Sequence, residues 1–135
     1  MRSVDNPYNG DKQAIFDDVV EHLRKQEVKA IVGGSCRYRE LDSIEGDLRC
    51  AVGGVLPDEL YDPEMEGNDI YCVVEGFPSV EEFFGKGNTV GFLRALQKVH
   101  DYGNEEEWEN GFERIAEEYN LTYTPPQGEA NEAAA

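Results

Sequence analysis

The sequence predicts a predominantly helical α+β fold, with three main amphipathic helices and a small β-hairpin or short sheet. Three observations carry that expectation. Apolar residues recur at helical spacing in three separate stretches. Residues 28–50 instead hold short β-prone runs interrupted by glycine. A chain of 135 residues suits one ordinary domain and is too short for two, so both kinds of element must share one core. That single globular domain is expected over residues 11–123, with residues 1–10 and 124–135 as flexible tails.

The first helix is marked by Ile15, Phe16, Val19, Val20 and Leu23, one apolar stripe. Asp11 can cap its start, because a carboxylate there accepts from free amides of the first turn. Arg24 and Lys25 near its end, about Gln26, suit the negative end of the helix dipole. Val28 to Val32 then reads as a strand broken by Gly33 and Gly34. Cys36-Arg37-Tyr38-Arg39 reads as a second strand, with a loop through Asp42, Ser43 and Gly46 returning to Leu48. The run LRCAVGGVL, ended by Pro57, predicts a short helix capped by Asp47. Its Gly53 and Gly54 suit either close packing against another backbone or a loop approaching a ligand. Residues 57–69 predict a turn opened by Pro57 and stopped by Pro63. Tyr71-Cys72-Val73-Val74 reads as extended, and Ser79 with Glu82 as a capping box opening a short helix through Phe83 and Phe84. Asn88 is the expected cap of the second long helix, with Phe92, Leu93, Leu96 and Val99 on one face and a stop near Gly103. Asn104 and Glu107 form a second box-like start. Trp108, Phe112, Ile115 and Tyr119 then make the cleanest stripe in the chain.

Charge excludes some partners. Twelve Lys and Arg stand against 29 Asp and Glu, a net charge of -17. Nucleic-acid phosphates and anionic membranes both need clustered cations, so neither is an expected direct partner. The first seven residues hold no apolar stretch of signal-peptide type, which predicts a cytoplasmic location. The charge is also segregated. Residues 57–85 carry nine acids and no Lys or Arg, and residues 101–120 carry eight acids against Arg114. Residues 24–39 run the other way, with five bases against Glu27. A dense acidic face steers association with basic partners. Solubility and adaptation to high salt are the competing readings of the same acidity.

Cys36, Cys50 and Cys72 are too few and too scattered for a disulfide framework. Structural zinc needs four ligands, and only His22 and His100 are available to complete a set. Buried free thiols are the alternative, and no cofactor or metal is expected. A calcium loop through Asp62, Glu64 and Glu66 fails at Pro63 and at Val73, where a bidentate Glu would be needed. There is no P-loop, G-x-S-x-G or H-E-x-x-H motif.

Cys36-Arg37-Tyr38-Arg39, then Arg49-Cys50-Ala51-Val52-Gly53, then the run from Pro57 through Tyr61 to Met65-Glu66-Gly67 carry a resemblance. The chain resembles a group of small uncharacterised proteins encoded by tailed bacteriophages and prophages. Their pattern holds a C-x-YR segment and a CAVG-x-LIPD-x-x-Y segment ending in MEG. The likeness covers about residues 13–123. Similar proteins often carry a further Cys after CAVG, where Gly54 stands here, which weakens any metal site that would use it. The resemblance implies a phage origin and the host cytoplasm as location; it implies nothing about chemistry.

Two function classes follow. The first is an accessory protein that binds a host protein of basic surface. It would inhibit or modulate a nucleic-acid-handling or defence protein, as a possible nucleic-acid mimic. Its expected contact residues are Asp58, Glu59, Asp62, Glu64, Glu66, Glu105, Glu106, Glu109, Glu113 and Glu117. The second is a small ligand-binding module or enzyme with a pocket around Cys36, Tyr38, Arg39 and Cys50. There Arg37, Arg39 and Arg49 would favour a thiolate and His22 or His100 would act as base. Internal pairing of those arginines with acids, and packing or capping by the histidines, is the bland counterpart. A structural virion component is disfavoured by the lack of repeats and heptads.

Overall fold

A computed structural model describes residues 1–32, 35–43, 46–102 and 104–126. Gly33, Gly34 and Gly103, read above as breaks, and residues 127–135 of the expected tail lie outside these. Among the described residues there are six α-helices and two small antiparallel β-ladders, the predominantly helical α+β class that the sequence predicts. No helix is long and apolar enough to cross a membrane.

Helix α1 (Lys12–Gln26) starts where Asp11 accepts the Ala14 amide at 3.0 Å, and it buries all five residues of its apolar stripe. Strand β1 (Ile31–Val32) pairs with β2 (Ser35–Cys36), and β3 (Arg39–Ser43) pairs with β4 (Gly46–Arg49). The expected hairpin is therefore two hairpins. Asp42, Ser43 and Gly46 belong to the second ladder rather than to a loop, and Asp47 lies in β4, so it caps nothing in α2 (Ala51–Val55). Cys50 does that instead, its Sγ accepting the Gly53 amide at 3.3 Å.

Helix α2 is buried on every side. A helix without a polar face belongs in a core. It lies against α1, β4 and α5 (Asn88–Tyr102). Of the two readings of Gly53 and Gly54, close packing is the observed one. A Cβ built at Gly53 would fall on the Tyr38 carbonyl, and one at Gly54 on the His22 ring.

Two 3-10 turns, Asp58–Leu60 and Pro63–Met65, follow. Residues 71–74 are not extended. They lie in α3 (Ile70–Gly76), because the Asp69 carboxylate accepts the Cys72 amide at 3.0 Å. This cap and the burial of Ile70 and Val73 override the β preference of the run. Helix α4 (Pro78–Phe84) opens on Pro78 itself, whose fixed φ suits a first turn, so Ser79 sits inside the helix and forms no capping box. Asn88 is likewise the first residue of α5. The stripe of α5 is as expected through Leu96, and His100 then takes the fully buried place beside a partly buried Val99. The Asn104–Glu107 box forms, over a 3-10 turn (Glu105–Glu107) that leads into α6 (Trp108–Tyr119). Phe16 of α1 meets Phe112 of α6 edge-on at 6.4 Å, closing the core.

The N-terminal segment departs from a tail. Tyr8 is 2% exposed and stacks on Phe84 at 5.7 Å, and the Tyr8 and Gly10 amides donate to the carbonyls of Phe83 and Phe84. A lone aromatic among polar residues gives no periodicity, so the sequence carried no signal for it. Gly85 permits the contact: its φ is +129°, and a Cβ there would lie 2.6 Å from the Gly10 nitrogen.

Adding a methyl at Gly53 or Gly54 has to displace backbone or a buried ring. Gly53→Ala and Gly54→Ala are each expected to lower stability by about 1–3 kcal/mol in urea unfolding. Gly76→Ala, which meets nothing within 4 Å, is expected to be neutral or to gain up to about 1 kcal/mol.

Candidate functional site

The four residues expected to share a pocket do not converge. Cys36 and Tyr38 line one groove of about 330 Å³, together with Asp69, Arg94, Gln97 and Asp101. Arg39 is buried elsewhere. It donates to the Leu56 carbonyl at 2.7 Å, pairs with Asp58 at 2.8 Å and lies over the Tyr61 ring. Cys50 is fully buried at the start of α2. Burial pushes its thiol up to about 12, beyond the range in which a thiolate forms near neutral pH. The Cys36 thiol is also pushed up to about 12, by burial first and then by its hydrogen bond to Asp101. Arg37 and Arg39 do not activate a thiol, because both are paired with acids.

Glu66 organises this region. Its carboxylate accepts the amides of Tyr38 at 2.8 Å and Arg39 at 3.0 Å and the Tyr61 hydroxyl at 2.7 Å, with Arg37 at 3.7 Å. The Tyr38 hydroxyl donates to the Asn68 carbonyl at 2.8 Å. Residues 57–68 are thereby bound to the segment that precedes β3. Glu66 was expected on a contact face, but its carboxylate is engaged by these donors within the chain, while Asp62 accepts the Glu64 amide and starts the second 3-10 turn.

Among the described residues, Cys36, His100 and Asp101 bring one ligand atom each within 4.8 Å of one another, a grouping that could hold a metal ion. The hydrogen bonds argue against it. The Ala30 amide donates to His100 Nε2 at 3.0 Å, so the proton of the imidazole sits on Nδ1 and points at Asp101, 2.7 Å away. A ligating histidine turns its other ring N–H toward an acceptor. Here that nitrogen faces a donor, and metal at Nδ1 would leave the Ala30 N–H opposed or unpaired. Stacked on Trp108, His100 works as a buried tie between α5 and the start of the first hairpin. His22 is a second tie, donating from Nε2 to the Arg49 carbonyl at 3.0 Å against Gly54. Neither imidazole is placed as a base for Cys50.

The remaining expected contact residues divide by partner. Glu109 receives two bonds from Arg24, at 2.9 and 2.7 Å, and one from the Tyr123 hydroxyl. Burial works to raise its carboxyl, yet these bonds outweigh it and hold it below the usual range. Glu109 is thus a fold contact. Asp58 is 80% exposed but joined to Arg39. Glu59, Glu64, Glu105, Glu106, Glu113 and Glu117 are exposed. The basic run at residues 24–39 is largely neutralised in place: Arg24 by Glu109, Lys25 by Glu21, Arg37 by Glu66 and Arg39 by Asp58. The positive surface that sequence reasoning missed is on α5 and α6, at Arg94, Lys98 and Arg114. Spacing on α5 could have found part of it, since Arg94 and Lys98 are four residues apart.

Comparison of the chain with family models, with curated proteins and with solved structures finds no match.

Burial dominates His22 and lowers its pKa, despite hydrogen bonds that act the other way. The unfolded chain then takes up the proton first, at about pH 6.5. Stability is full above that value and falls as pH drops below it toward the folded pKa. Urea unfolding at stepped pH between about 7.5 and 5.5 is expected to show this loss, and His22→Gln to flatten it.

Proposed function

We propose that this protein acts by binding, through the exposed carboxylates of the Glu105–Glu107 turn and α6, to a partner with a cationic surface. The arrangement of Glu113 and Glu117 carries the reading. They stand one turn apart on α6, exposed, with no cation within 4.0 Å among the described residues. Like charges at this spacing weaken a helix by about 0.2–0.5 kcal/mol. Glu117 and Glu118 also lie in the last turn, where negative charge opposes the helix dipole and no base accompanies them. Glu105 and Glu106, at the other end, suit the dipole. Glu113 and Glu117 therefore exceed what the fold uses, whereas Glu66, Glu107 and Glu109 are bound within the chain.

A host nucleic-acid-handling or defence protein is the partner class we favour, with the ridge taking the place of backbone phosphates in a basic groove. A phage-encoded accessory protein would fit that role, as the motif resemblance implies. Catalysis has less support, since burial opposes thiolate formation at Cys36 and Cys50 and the imidazoles are held by backbone groups.

The test is capture of partners from bacterial lysate on the immobilised protein at low and high salt, followed by association kinetics. Glu106→Lys, Glu113→Lys and Glu117→Lys together are expected to slow association at least about tenfold and to flatten its salt dependence, with thermal unfolding little changed. Absence of any partner across the salt range overturns the proposal.

A further inference from the structure

A groove of about 510 Å³ runs between α5 and α6, and it is the opposite of the surface just described. Gly91 and Ala95 keep its α5 wall low. Arg94, Lys98 and Arg114 line it, against the single carboxylate of Glu118. In a chain of net charge -17, a concavity lined by three cations and one carboxylate is an exception. Lys98 and Arg114 have no carboxylate within 4.0 Å among the described residues. Arg94 lies over the Tyr71 ring at 5.4 Å and is steadied by Asp69 at 3.3 Å, so its guanidinium is already oriented at the rim.

We propose that this groove binds a small dianion of the phosphate-monoester class. Three separate cationic groups suit the three terminal oxygens of a phosphate monoester better than the two of a monocarboxylate. Guanidinium groups match phosphate oxygens with paired N–H donors, and a lysine adds a mobile point charge. The volume is that of a small-molecule site rather than a protein interface. Acids more than about 8 Å away do not prevent binding, since ionic strength near 0.15 M screens exposed charges at that range. The proposal is independent of the acidic ridge and survives its failure.

The experiment titrates the full chain at that ionic strength with inorganic phosphate, with sulfate and with hexaglutamate, following the amide shifts of α5 and α6 by NMR. Saturable phosphate binding, displaced by sulfate and weakened about tenfold or more in Lys98→Gln/Arg114→Gln, is the expected result. Glu118→Gln, which removes the repelling charge and leaves the cations in place, is expected to tighten it. Shifts that do not saturate, affinity unchanged in the double variant, or preference for hexaglutamate over phosphate would each overturn the proposal. Both sets of substitutions are at exposed positions, and unchanged α6 amide dispersion without ligand shows that the fold is kept.

Discussion

The missing side chains of Gly53 and Gly54 are the constraint on which the rest of this molecule depends. They let the Tyr38 backbone and the His22 ring approach α2 from two sides. Once Tyr38 is there, its amide and that of Arg39 both point at Glu66, and the 57–68 segment closes over them. Arg39 then reaches the carbonyl at the end of α2 and pairs with Asp58. Backbone donors taken out of water need partners within the chain, and Glu66 supplies them for Tyr38 and Arg39. A single steric allowance thus fixes the β segment, the acidic loop and the arginines between them.

The same packing sorts the acids into two kinds. Glu66, Glu109 and Asp69 hold elements together: the first beneath the loop, the second between α6 and α1, the third at the start of α3. Glu66 is the most buried of the three, and removing its carboxylate would leave backbone donors unmatched, at about 1–3 kcal/mol each. Glu105, Glu106, Glu113 and Glu117 hold nothing within the described chain. Both kinds look alike in composition, and only the fold separates them. It also places a groove lined by Arg94, Lys98 and Arg114 on the same helix, so α6 turns Arg114 toward α5 and leaves Glu113 and Glu117 exposed.

Helical periodicity was the most legible signal. Ile15 through Leu23 and Trp108 through Ile115 are buried as their spacing demands, because an amphipathic stripe has one way to face a core. Residues 71–74 misled because four β-prone residues say nothing about a cap at Asp69. The site was less legible. Cys36 and Tyr38 do share a groove, but Arg39 is bound by Leu56 and Asp58 on another side, and Cys50 turns inward to start α2. Glu66 meets its acceptor role with residues 27 and 28 positions earlier, a separation that no local pattern encodes. His100 was open to readings as base or packing residue until the Ala30 amide fixed its tautomer.

The central claim is that the α6 carboxylates are surplus to the fold and available to a partner. Equilibrium urea unfolding of Glu113→Gln/Glu117→Gln beside the parent chain tests it most directly, since these two have no partner among the described residues and their mutual repulsion is removed. The account predicts an unfolding free energy equal to the parent's or higher by up to about 1 kcal/mol. A loss of more than about 1 kcal/mol would show that the ridge serves stability, and would contradict it.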